Sequence, residues 1–210
     1  MKIVCIIPAR GGSKGIKKKN LAIINKRPLI FWSIKSAKES KLLSDFYVST
    51  EDPEIKKVAL RYNCKVIDRP KSLSKDNSST ISVLQHSISI TNADAILCLQ
   101  PTSPIRPKGI IDKAIRKFKR YNVDSLATGR ILHNYEWGKY NNVSRQKLNG
   151  WFWDDGSIYL MSSKDLLKGK WTGKKLYKMH IDKKFSLTEC DDLTDLQILR
   201  KLIQLRYYNE

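Results

Sequence analysis

The chain has 210 residues, 41% of them hydrophobic and 9% aromatic, which supplies enough apolar surface to offset chain entropy and excludes a disordered polymer. Its formal charge of +20 fits either a polyanion or nucleic-acid binder or a solvated basic surface. No apolar run approaches the about 20 residues of a bilayer span, and the amino terminus lacks a signal-peptide pattern, so one cytoplasmic domain over residues 1–210 is expected.

Lys2 to Pro8 is a continuous Ile/Val run, the pattern of a strand buried on both faces of a parallel sheet. Pro28 suits the first turn of a helix whose Leu29, Ile30, Ile34 and Ala37 recur at helical spacing. Phe46 to Ser49 reads as a strand, Asp52 as a cap and Pro53 as the start of a helix reaching Tyr62. Lys65 to Ile67 is the next strand, and the loop from Asp68 to Ser79 leads into a helix carrying Ile81, Val83, Leu84, Ser87 and Ile88. Asp94 to Gln100 is a second apolar strand, Ile110 to Tyr121 a basic amphipathic helix, and Ser125 to Thr128 a further strand. This alternation predicts a three-layer α/β fold with a mostly parallel sheet.

From Arg130 to Lys184 the character changes. Tyr135, Trp137, Tyr140, Trp151, Phe152, Trp153 and Trp171 stand among Gly and Asn, which predicts an irregular, aromatic-rich insertion forming a partner interface, a pocket wall or the edge of the core. Asp191 to Tyr208 closes the chain as a helix. Cys5, Cys64, Cys98 and Cys190 show no metal-ligand spacing and read as reduced packing residues, with Cys190 the exception to watch because acidic residues surround it. Lysines at 35, 38, 41, 56, 57, 113, 117 and 119 fall along the expected helix faces, which favours the solvated-surface reading of the charge.

Ligands of open parallel sheets bind beyond the carboxyl ends of the strands. The turn after the first strand, Arg10-Gly11-Gly12-Ser13-Lys14-Gly15, continues to Lys19 and Asn20. Its glycines let backbone amides approach phosphate oxygens, while Arg10, Lys14 and Lys19 add cationic donors. The spacing is neither a Walker A loop nor G-x-G-x-x-G, so the residues alone specify a phosphate site without naming the nucleotide.

The string I-I-P-A-R-G-G-S-K-G-I-x-x-K-N resembles the signature of the acylneuraminate cytidylyltransferases, which activate sialic and related nonulosonic acids. Further segments agree in order: Tyr47 to Asp52 with Glu54-Ile55, Arg69-Pro70 with Leu73, Asp76 and Ser79-Thr80, and Leu99 to Arg106. Arg145-Gln146, Gly156 to Tyr159, and Glu189-Cys190-Asp191 with Asp195 follow. The resemblance implies a Rossmann-like nucleotide-diphospho-sugar transferase architecture, with CTP and an acidic 2-keto sugar as substrates and a homodimer with a shared sugar pocket. It implies that Arg10, Lys14 and Lys19 contact the phosphates, beside Gly11, Gly12 and Ser13, and that Asn20, Arg69, Ser79 and Gln100 fix the cytidine, with Arg106 a further substrate contact. Glu189 and Asp191 correspond to the family's Mg²⁺-binding Asp-x-Asp, although the same acidic run is suited to capping the last helix. Arg145 is the candidate for the sugar carboxylate.

Asp155 departs from the family's usual Asn. An anionic group there repels an acidic sugar unless it is protonated, paired with Arg145 or reading an amino-derived substituent. The implied reaction is attack by the sugar's anomeric hydroxyl on the α-phosphorus of CTP, with Arg10, Lys19 and Asp191 the candidate catalytic residues and Asp191 or a hydroxide on the metal the candidate base. Alternatives are a 3-deoxy-manno-octulosonate cytidylyltransferase and a non-catalytic nucleotide- or nucleic-acid-binding protein. No nucleic-acid module is recognisable in the sequence.

Overall fold

The computed structural model describes residues 1–136, 138–139, 142–185 and 189–205. In chain order the elements are β1 (Ile3–Pro8), β2 (Ile23–Ile24), β3 (Arg27–Pro28), α1 (Leu29–Lys38), β4 (Asp45–Thr50), α2 (Pro53–Arg61), β5 (Lys65–Asp68) and α3 (Thr80–Thr91). They continue with β6 (Ala95–Cys98), α4 (Ile110–Tyr121), β7 (Ser125–Leu132), β8 (Trp151–Ser162), α5 (Ser163–Leu167), β9 (Leu176–His180) and α6 (Leu193–Gln204).

Seven strands form one sheet in the order β5-β4-β1-β6-β8-β7-β9, with β2 and β3 a separate hairpin. All neighbouring pairs are parallel except those made by β8, which runs against both β6 and β7. Alternate β1 side chains explain the layers. Ile3, Cys5 and Ile7 meet α1, α2 and α4 on one face, and Val4 and Ile6 meet α3 and α5 on the other. Burial on both sides is why β1 carries no polar alternation. A third apolar cluster joins α6 to Ile16, Ile24, Ile105 and Cys190.

Local chemistry sets the helix starts. The Asp52 carboxylate accepts from the Glu54 and Ile55 amides at 2.8 and 2.9 Å, and Asp192 and Asp195 make a reciprocal capping box at α6, satisfying amides that have no partner within the helix. All four cysteines are free and buried. Burial pushes the Cys190 thiol up to about 11, so despite its acidic neighbours in sequence it is a packing residue.

The region 130–184 corrects the expectation of irregular structure. β7 continues to Leu132, β8 is a twelve-residue strand inside the sheet, and β9 forms its edge. Trp, Phe, Tyr and Ile suit a pleated, half-buried surface, and Gly129 and Gly156 fall within the paired strands rather than marking loops. Trp137, Tyr140, Thr188 and the expected end of the last helix, Arg206 to Tyr208, lie outside the described residues. Among the described residues no helix is long and apolar enough to cross a membrane.

Candidate active site

Beyond the carboxyl ends of β1, β5 and β6 lies a cleft of about 440 Å³. The turn after β1 supplies Arg10, Ser13, Lys14, Gly15, Lys19 and Asn20. Arg69 enters after β5, Gln100 and Thr102 after β6, the segment before α3 gives Lys75, Asp76 and Ser78, and Asp191 stands ahead of α6. The structure therefore brings together most of the residues that the sequence singled out.

The turn is held by its own side chains. Buried Asn20 donates from Nδ2 to the Arg10 carbonyl at 2.9 Å, fixing the loop that carries Arg10, Lys14 and Lys19. Two glycines answer to close approach. A Cβ on Gly11 would lie 2.3 Å from Asp52 Oδ2, and one on Gly15 would lie 2.2 Å from the Asp191 carbonyl oxygen. The Gly11 amide donates to Glu51 Oε1 at 2.8 Å, so it is occupied by protein, which corrects its assignment as a phosphate donor. Gly11 and Gly12 are not on the cleft wall, whereas Ser13 and Gly15 are.

Because Gly15 abuts the backbone that presents Asp191, Gly15→Ala has to displace one or the other. A displacement of about 1 Å costs up to about 100-fold in rate. The variant is expected to fold, by circular dichroism, and to lose about 10- to 100-fold in turnover. Undiminished turnover would show that the Asp191 backbone can give way.

Lys19 Nζ lies 3.1 Å from Asp191 Oδ1. The capping box takes Asp192 and Asp195, and Asp195 also accepts from the Asp191 amide at 2.9 Å, leaving the Asp191 carboxylate directed to Lys19. The acidic run thus divides between helix capping and the cleft. The Glu189 carboxyl is raised above its ordinary range by burial, then by the carboxylates of Asp191, Asp154 and Asp155. Among the described residues no group of three or more acidic, His or Cys side chains forms a metal cage.

Arg69 is buried, and it donates from Nε to Ser49 Oγ at 3.2 Å and from Nη2 to the Ser49 carbonyl at 2.5 Å. The Gln100 carbonyl accepts from Arg106 Nη2 at 2.8 Å, while its side-chain Oε1 accepts from Thr102 Oγ1 at 3.4 Å.

Three assignments change, and a fourth residue, Arg145, lies apart from the cleft. Arg106 is not on the cleft wall; besides Gln100 it holds the Ser157 carbonyl and Ser33 Oγ, each at 3.0 Å. Burial pulls its guanidinium down to about 10, and its task is to brace the strand end that presents Gln100. The Ser79 hydroxyl caps α3 by accepting from the Ser82 amide at 3.1 Å, and its neighbours Ser78 and Thr80 line the cleft instead. Asp155 is 3% exposed, with Oδ1 accepting from Thr128 Oγ1 at 2.7 Å and from the Ser157 amide at 3.0 Å. Burial raises its carboxyl above the ordinary range, against the hydrogen bonds from Thr128 and Ser157. Arg145 sits in the exposed 3₁₀ turn Arg145–Lys147, its guanidinium 5.8 Å from the Tyr135 ring centroid and off the cleft wall.

A second hollow, about 180 Å³, opens between β7, β8 and β9, walled by Phe152, Asp154, Tyr159, Trp171 and Tyr177. Tyr159 and Trp171 meet edge to face with centroids 5.1 Å apart, and the Tyr159 hydroxyl donates to Asp154 Oδ1. Sequence reasoning missed this role for Asp154 and Tyr159. The alternation along β8 was the available signal, obscured by reading the region as loop. Glu189 connects the two cavities electrostatically, since both Asp191 of the cleft and Asp154 of the hollow act on it.

The profile of the family described as Cytidylyltransferase matches residues 4–209. A pseudaminic acid cytidylyltransferase of Campylobacter jejuni subsp. jejuni serotype O:2 is 30% identical, the match covering 99% of this chain and 98% of that protein. An N-acylneuraminate cytidylyltransferase of Escherichia coli O18:K1:H7 is 28% identical over 94% of this chain, which spans about half (51%) of that longer protein. Among solved structures, a CMP:2-keto-3-deoxy-manno-octonic acid synthetase in complex with CTP superposes with a TM-score of 0.77 at 16% identity, covering 97% of this chain and 98% of that one. At that identity the likeness establishes the Rossmann-like fold.

Proposed function

Since the chain belongs to the cytidylyltransferase family and is a nucleotidyltransferase, we propose that it uses CTP to place CMP on the anomeric hydroxyl of a nine-carbon acidic 2-keto sugar, releasing pyrophosphate. The observation that supports this most directly is the single cleft in which Arg10, Lys14 and Lys19 face Arg69 and Gln100 beyond the parallel strand ends. Transfer of a phosphoryl-type group depends chiefly on positioning and on neutralising charge at the transferring and leaving oxygens. In this reading Arg10 and Lys14 hold the outer phosphates, Lys19 lies nearer the α-phosphate, and Gln100 and Arg69 orient the cytidine, whose amine and ring acceptors suit an amide and backbone groups. Asp191 is the proton acceptor for the sugar hydroxyl.

The donor set fits Mg²⁺, which takes one or two carboxylates and keeps its other positions for water and phosphate; Asp191 and Glu189 would hold it, and their mutual repulsion favours a cation between them. When bound, the ion supplies charge neutralisation to the triphosphate. The hollow walled by Tyr159, Trp171 and Phe152 takes the apolar arms of the sugar's acylamino groups. Arg145, exposed and away from the cleft, reaches a sugar carboxylate in a homodimer in which one protomer's 145–147 turn meets its partner's cleft.

The test is pyrophosphate release from CTP and Mg²⁺ with pseudaminic, legionaminic, N-acetylneuraminic and 3-deoxy-manno-octulosonic acids in parallel. Turnover is expected with at least one of the three nine-carbon acids and to exceed that with the eight-carbon acid. Preference for the eight-carbon acid, or release with none, would overturn the assignment.

A further inference from the structure

Two of the cleft's cations already share one carboxylate of the protein. The segment between β5 and α3 makes a 3₁₀ turn at Lys71–Leu73 and forms one wall of the cleft. From that wall Asp76 bridges both cations, with Oδ1 3.0 Å from Arg10 Nη1 and Oδ2 3.1 Å from Lys14 Nζ. Arg10 Nη1 also donates to the Lys75 carbonyl at 3.1 Å. A carboxylate spanning an arginine and a lysine offers the same anionic oxygens as a phosphate group.

We propose that Asp76 is a built-in counter-anion that the outer phosphates of the incoming nucleotide displace, and that it thereby sets the cleft's selectivity for polyphosphates. This rests on the nucleotide reading above. Hydrogen bonding from Lys14, reinforced by Arg10, holds the Asp76 carboxyl below its ordinary range, so it is ionised wherever the enzyme would meet CTP. Asp76 and Lys14 have side-chain exposures of 55% and 78%, and exposed ion pairs are weak. A ligand carrying several negative charges displaces the carboxylate readily. One without phosphates neither displaces it nor gains from its removal. When pyrophosphate forms, the returning carboxylate competes for the same two cations and assists its departure.

The experiment is calorimetric titration of the full chain with CTP, inorganic pyrophosphate and cytidine, for wild type, Asp76→Asn and Asp76→Glu. Asp76→Asn keeps the size and removes the charge, so CTP and pyrophosphate are expected to bind about two- to fivefold more tightly, the scale of a weak competing pair. Cytidine is expected to bind unchanged, and Asp76→Glu to return the polyphosphates toward wild-type affinity. Unchanged or weaker polyphosphate binding in Asp76→Asn, or an equal change for cytidine, would overturn the proposal. Wild type that binds pyrophosphate but not CTP sinks the nucleotide reading, while the pyrophosphate arm still decides the role of Asp76.

Discussion

Lys19→Ala is expected to lower CMP transfer by about 100- to 1,000-fold, the usual effect of removing one preorganised charge that stabilises a transition state. Lys19 has a side-chain exposure of 17% and stands 3.1 Å from Asp191, on a turn held by the Lys19 amide to the Ile16 carbonyl and the Leu21 amide to the Lys18 carbonyl. Removing the ammonium deletes a cation of the cleft and also leaves the Asp191 carboxylate without the partner it has at 3.1 Å. Both effects act in one direction. The turn's backbone bonds are untouched, so the thermal midpoint should stay near wild type. Steady-state kinetics with the accepted sugar measures the loss, and a folded variant with wild-type turnover would place the chemistry elsewhere.

The largest stability effect is expected at Arg106. Replacing it with Met keeps the apolar stem but removes the Arg106 donor from the Ser157 carbonyl, leaves the Gln100 carbonyl with the Ser103 amide at 3.2 Å and the Ser33 hydroxyl at 3.4 Å, and takes the nearby positive charge from Asp155. Charge-assisted bonds of this kind and the penalty of the groups left behind total about 3 kcal/mol, which in a chain of this size lowers the melting temperature by about 6–12 °C. Differential scanning calorimetry reads this directly. Because Gln100 loses its brace, turnover should fall too, and an unchanged melting temperature would refute the bracing role.

These two residues show how differently parts of the site were legible. Lys19 was identified from a contiguous string after a buried strand, where position in the fold and chemistry of the side chain are both local facts. Arg106 was identified from an equally specific string, yet its side chain turns inward. Whether a guanidinium serves a ligand or the backbone depends on which carbonyls the fold leaves without amides. Asp155 changed for a related reason. The family resemblance placed it near the sugar, but Thr128, 27 residues away, takes its carboxylate into the strand pair. The 130–184 region was misread as irregular because aromatics among Gly and Asn resemble a loop, until partner strands on both sides make β8 part of the sheet.

The α/β alternation, the helix cap at Asp52 and the basic glycine turn were legible in the sequence alone. Each depends on residues within a few positions of one another, where backbone geometry and hydrogen-bond capacity are nearly independent of the rest of the chain. The pairing of charges was set by packing between distant parts of the chain. Lys19 meets Asp191 across 172 residues, and Asp76, 66 positions beyond Arg10, closes over the cations of that turn. Such contacts follow from how the layers pack and from which groups are thereby removed from water, and neither quantity is carried by local spacing.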